Sequence, residues 1–392
     1  MNGVTNRKLL LALGCLAIFF PGAFLFGFPG VMAVQWQQLL GVEKARIGQL
    51  MFFILAGTGC SMYLSGKLQE KITPQGLIFV GTVTCGFGVG AVAWASALYH
   101  VFAWAFWEGF FSAFVYLPCL TVSQKLFLEQ KGLAVGFINL VFGGAAAVMS
   151  PVFSFLLVNQ GYRATCVISM TLAVCTGIVC AFFMRGSAYS FKSVKGVGIA
   201  LGVGRILTLR SFWCLWWVWA LAGAAGVSMV MLCSSLGQSL GYDVTQYVII
   251  LTGFSMLNGL RRIVFGILAD RISKHKILIR VFLMAALAYL LMPFFHNLYV
   301  LSLLASVVGL AFGVLFTVSA PLVSECFGLE NFGRVFGLVF TAYGFVAGFL
   351  GPWMSGVVLR LTHDNFRIVF TGFALFYLIA AVLVSQVKKF RI

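Results

Sequence analysis

In the stretch SMLNGLRRIVFGILADR, residues 255–271, Arg262 follows Asn258 by four residues and Ser255 by seven. On an α-helix those offsets bring the three polar side chains to one face. A guanidinium in such a stripe can hold a carboxylate through two parallel hydrogen bonds, and it keeps its charge when water is removed. Arg261 is turned about 100° from Arg262 and points toward a neighbouring element. It offers a second anion contact or, more plainly, packing and polarity. Tyr116 and Asn139 add a hydroxyl and an amide suited to the same small ligand. Glu108 adds a carboxyl that, partly stripped of water, could carry a coupling proton. Each has a duller reading: a structural ion pair for the arginine, simple packing for Tyr116, an interhelical hydrogen bond for Asn139, and a structural pair or plain hydration for Glu108.

The elements that position these residues follow from composition. The 392-residue chain is 61% hydrophobic and 9% charged, against a charged fraction of ~25% in soluble domains. That excludes a soluble enzyme or binding module and predicts an all-α integral membrane protein. Apolar runs long enough to cross a ~30 Å hydrocarbon core fall at 8–34, 47–66, 77–98, 101–124, 132–158, 164–185, 208–236, 245–269, 277–294, 298–324, 333–359 and 367–387. The first is read as a span and not a cleaved leader, because no small-residue cleavage site follows it. Arg262 precedes Asp270 by eight residues, Asn139 follows Lys131 by eight and Tyr116 precedes Lys125 by nine, which sets all three about 12–14 Å from the same membrane edge. Glu108 sits about eight residues from the opposite end of its span.

Charge sets the expected orientation. Nineteen Lys and Arg residues fall on the side holding the N-terminus and five on the other, so both termini are expected in the cytoplasm, in a cytoplasmic (inner) or plasma membrane. The net charge of +17 is therefore a topology signal and no nucleic-acid footprint. Internal repetition sets the expected organisation. GKLQEKIT (66–73) returns as GILADRIS (266–273), and Gly132, Gly136, Gly143 and Pro151 return as Gly333, Gly337, Gly344 and Pro352. The chain reads as two parallel six-span halves, 1–185 and 208–392, joined by a basic linker over 186–207. Such repeats place a substrate site near the bilayer midplane and expose it alternately by rocking.

Twelve spans in two halves, with Gly266, Asp270 and Arg271 in a Gly-x-x-x-Asp-Arg loop and Gly66, Glu70 and Lys71 in its degraded copy, resemble the major facilitator superfamily. Residues 116–163, the stretch NGLRRIVFGILADR and residues 327–352 resemble the oxalate/formate antiporter and monocarboxylate transporter families. The resemblance implies a twelve-helix carrier whose loop motifs act in conformational change, with Arg262 and Tyr116 at substrate-binding positions. Two departures stand out: the families usually have Gly where Arg261 stands, and no Lys or Arg occurs between Val335 and Leu359. The second favours a monoanion, unless Arg261 serves as a displaced second cation.

Other signals carry no chemistry. CGFGVG (85–90) lies inside a span and reads as helix packing, not a nucleotide loop. The ten cysteines lack CxxC spacing and read as apolar fillers, with no disulfide and no metal. FWCLWWVWA (212–220) reads as an interfacial aromatic belt. The four histidines sit at loops or span ends, so neither enzyme chemistry nor a cofactor is expected. The expected partners are a small carboxylate, a proton or counter-anion and the lipid bilayer, with the chain a monomer and no nucleic acid involved. The leading expectation is a secondary active transporter of a small organic anion, most simply a monocarboxylate, by proton symport or anion exchange. A carrier of a larger anionic metabolite or metal chelate, and a carboxylate receptor that does not transport, are the alternatives.

Overall fold

The computed structural model describes the backbone of residues 2–42, 49–185, 201–242 and 244–389. Long helices dominate them. They are α1 (Asn2–Phe26), α2 (Phe28–Leu40), α3 (Leu50–Leu68), α4 (Pro74–Val92), α5 (Leu98–Leu126), α6 (Lys131–Arg185), α7 (Val203–Leu207), α8 (Arg210–Ser239), α9 (Val244–Arg271), α10 (Lys274–Leu291), α11 (Leu298–Phe327), α12 (Phe332–Thr341), α13 (Met354–Leu361) and α14 (Phe366–Gln386). Most of the expected linker, residues 186–200, lies outside the described residues.

Nine helical stretches among the described residues are long and apolar enough to cross a membrane. The one over Lys131–Met184 is 54 residues long, twice what a crossing needs, and it turns at Gly161, where φ is +79° and ψ 173°. Only glycine adopts that backbone without strain, so α6 supplies two spans. α3 and α9, 19 and 28 residues long, are also long enough to cross; α9 carries Arg261 and Arg262. The chain is thus an all-α membrane protein with twelve spanning helices, as its hydropathy predicts. Large apolar side chains point outward along them, Phe155, Val158 and Phe182 among the most exposed, as a lipid-facing surface requires.

Two departures from regular helix occur. Span 1 breaks at Gly27, between α1 and α2, where Pro29 near the start of α2 has no N–H to donate. Span 11 passes through π-helical turns at Ala342–Ala347 and Phe349–Trp353. Pro352 removes a donor there, and such π-turns mark functional sites in many helices.

The contacts divide the chain into two compact units. One comprises Met1–Leu128, Phe137–Ile199 and Phe332–Gly337; the other comprises Glu129–Gly136, Ala200–Asn331 and Leu338–Ile392. In the first, α3 packs on α5 so tightly that a Cβ at Gly109 would lie 2.0 Å from the Ile54 carbonyl. In the second, α9 packs on α11, and a Cβ at Gly309 would lie 2.2 Å from the Phe254 carbonyl. Both partners have moved by 200 positions, so the sequence repeat is also a repeat of packing. Small residues that let backbones touch drive such association inside a membrane.

Candidate functional site

In the second unit, α9 carries Asn258 and Arg262 one turn apart. Arg262 Nε donates to the Asn258 carbonyl at 3.1 Å, and Nη2 donates to Asn258 Oδ1 at 3.0 Å. Arg262 is 6% exposed, and its guanidinium carbon lies 5.7 Å from the centre of the Phe316 ring on α11. Phe316 in turn meets Trp219 at 4.8 Å and Tyr343 at 5.4 Å between ring centres. An arginine stacked on an aromatic face and held along one edge has few other rotamers open to it. Its charge is therefore aimed, and a planar oxyanion is the group whose geometry fits such a fork. Gly313 of α11 makes room for this arrangement, since a Cβ there would lie 2.9 Å from Asn258 Oδ1. Ser255, one turn earlier, is exposed, and so is Arg261.

In the first unit, Tyr116 of α5 donates to Asn139 Oδ1 of α6 at 2.8 Å. Both side chains are buried, and Phe142 lies against the tyrosine ring at 4.8 Å. The structure therefore joins the sequence-selected residues as two hydrogen-bonded pairs, one in each unit. Glu108 is buried on α5, and neither of its carboxylate oxygens has a hydrogen-bond partner among the described residues.

The loop motifs lie at helix ends. Asp270 accepts from the Gly132 and Leu133 amides at 2.7 and 3.0 Å. It thereby satisfies two of the N–H groups that the first turn of α6 cannot pair internally, and it places negative charge at the positive end of that helix. Gly266 packs against Gly132, where a Cβ would lie 2.5 Å from the carbonyl. In the other unit Gly66 packs against Gly333 in the same way, while Arg334 Nε donates to Glu70 at 2.9 Å. Lys71 and Arg271 are exposed.

Residues 223–388 match the sequence model of the Major Facilitator Superfamily. The whole chain also superposes on FucP, the Escherichia coli fucose:proton symporter, solved in its outward conformation: TM-score 0.75, 14% identity, 98% of this chain and 100% of that one. It has the major facilitator fold. Among curated proteins, this chain is 24% identical over 91% of its length to the agnestins efflux protein AgnL12 of Paecilomyces divaricatus, covering 82% of that protein. It is 26% identical over 58% of its length to the oxalate:formate antiporter of Oxalobacter formigenes, covering 55% of that protein. The chain is thus similar to transporters throughout.

Inspection of the sequence alone did not select the aromatic wall behind Arg262, made of Trp219, Phe316 and Tyr343. Their signal was available only in part. Tyr343 sits in the apolar interior of span 11 next to Gly344, but nothing in the spacing links it to a residue 81 positions earlier.

Proposed function

We propose that this major facilitator protein is a secondary carrier of a small organic anion, with a monocarboxylate as its simplest substrate. The observation that carries the reading is the buried Arg262, held by Asn258 and backed by Phe316. A permanent charge deep in a span is costly, ~2.5–3.5 kcal/mol on insertion scales, and marks a substrate pathway by default. Ser255 extends the stripe, and Tyr116 with Asn139 forms a second buried polar pair suited to a small anion within the first unit. Alternating access moves the anion, with a proton or a counter-anion as the coupled species. Glu108 is the carboxyl suited to take the proton. The contacts of Asp270 with α6 and of Glu70 with Arg334 form and release as the protein changes state, with both termini on the cytoplasmic side. Similarity to an oxalate:formate antiporter supports an anionic substrate.

A second reading is a larger anionic metabolite, favoured by the similarity to an efflux protein over nearly the whole chain and by the exposed Arg261 as an added contact. A thermal-shift screen of the purified protein over carboxylates of graded size separates the two. Small monocarboxylates should stabilise it, and that stabilisation should vanish in Arg262→Lys. Stabilisation by large polyanions alone, lost in Arg261→Gly, would establish the second reading instead.

A further inference from the structure

Between α4 and α5 lies a cavity of about 380 Å³ whose walls include Gly88, Ala91, Trp94, His100, Trp104 and Trp107. It sits where the two helices meet at the 93–97 turn, on the outer side in the orientation proposed above. The carboxyl of Glu108 is directly behind its wall: a Cβ on Gly88 would lie 2.5 Å from Glu108 Oε1 and 2.7 Å from the Trp107 ring. Glu108 is fully buried, and its two oxygens, like the indole N–H of Trp104 four residues earlier, have no hydrogen-bond partner among the described residues. The Trp104 N–H and the Cys85 thiol lie beside the carboxyl without forming a well-aligned hydrogen bond to it, and buried polar groups so placed are the ones that hold bridging water.

The protein groups nearest the Glu108 carboxyl are the Trp104 indole and the Cys85 thiol. From α4 the ionisable group set against it is the Cys85 thiol. α3 near Ile54, and α1–α2 from Ile18 to Phe28, carry no Asp, Glu, Lys, Arg or His. The basic residue of α3, Lys67, is 13 positions beyond Ile54, or about 20 Å along the helix. Arg163, beyond the bend of α6, is exposed. On α5 itself His100 stands at the mouth, its Nδ1 accepting from the Ser96 amide at 3.3 Å. None of these elements sets a cation against Glu108.

We propose that the α4–α5 cavity is the outer proton-access vestibule of Glu108, so that the proton enters between two helices of the first unit, past His100, Trp107 and Gly88, on a route that uses none of the anion-binding residues. The proposal rests on the reading of Glu108 as the coupling carboxyl. The proton adds to one carboxylate oxygen from vestibule water and leaves by the reverse transfer. Trp107 forms part of the wall and is fixed by donating its N–H to the Thr84 carbonyl at 3.0 Å. Gly88 is the position where any side chain would occupy the gap.

The test uses full-length protein in proteoliposomes and dicyclohexylcarbodiimide, an apolar reagent that adds to a protonated carboxyl and is read at Glu108 by peptide mass. Ala91→Trp and Ala103→Trp fill the cavity at exposed positions on its two helices. Labelling of Glu108 should fall with rising pH and should slow by about tenfold in either variant, as expected when access requires local opening. Accumulation driven by a pH gradient should slow in parallel, while exchange of substrate for substrate persists, which also shows that the variants fold. Unchanged labelling in both variants overturns the vestibule even if Glu108→Gln abolishes accumulation. Full accumulation in Glu108→Gln overturns the coupling role on which the vestibule rests, and so does slowed labelling without slowed accumulation.

Discussion

At the scale of single residues, the account turns on the difference between two adjacent arginines. Arg262 is buried against Phe316 and gripped by Asn258, whereas Arg261 is exposed. Lysine at 262 keeps a positive charge but loses the planar fork and the ring stacking. Arg262→Lys should therefore weaken carboxylate binding by about tenfold or more, with membrane insertion unchanged. Asn258→Ala leaves the guanidinium charged but unaimed, so it should raise the KM for uptake while preserving some turnover. Arg261→Gly should retain monocarboxylate transport. The pairing of Asn258 with Arg262 was readable from their i, i+4 spacing. The Phe316 and Tyr343 wall was not, because with 41 phenylalanines in the chain a single aromatic residue in a span says nothing until a tertiary partner is known.

At the scale of elements, composition and hydropathy were sufficient to place the helices, since a bilayer accepts only segments that satisfy their own backbone hydrogen bonds. The interruptions at Gly27 and at the π-turns of span 11 were not legible. They depend on where a neighbouring helix lets a carbonyl go unpaired, and that is a property of packing. The repeated glycine contacts make a quantitative claim. Gly109→Val and Gly309→Val place methyl groups where the Ile54 and Phe254 carbonyls already lie, so each should destabilise the protein by about 1–3 kcal/mol, measured by thermal unfolding in detergent. The Asp270 contact makes another. Asp270→Ala should speed hydrogen exchange at the Gly132 and Leu133 amides by about fivefold, the size of a lost helix cap, and Asp270→Asn should restore part of the protection. Unchanged exchange in Asp270→Ala would show that the loop motif does not hold the start of α6.

At the scale of the whole molecule, the basic-residue asymmetry predicts that both termini and the 186–207 linker lie in the cytoplasm. A cysteine at Ser193, in a background with the exposed Cys60 and Cys175 replaced by serine, should react with an impermeant maleimide only after the membrane is opened. Labelling in intact cells would invert the topology. The parallel repeat was legible because its glycine and loop signatures recur at fixed offsets, and the same offsets reappear in the helix contacts. Substrate identity was far less legible, because one fold serves many cargoes and only the site selects among them. In the function proposed for this chain that selection rests on Arg262, and the measurement that tests it most directly is counterflow of labelled formate and lactate into proteoliposomes preloaded with the unlabelled acid. Wild-type protein and Arg261→Gly should both show a transient overshoot of label, and Arg262→Lys should show none at equal protein density. A full overshoot in Arg262→Lys, or none in the wild type with any carboxylate offered, would contradict the carboxylate carrier proposed for this chain.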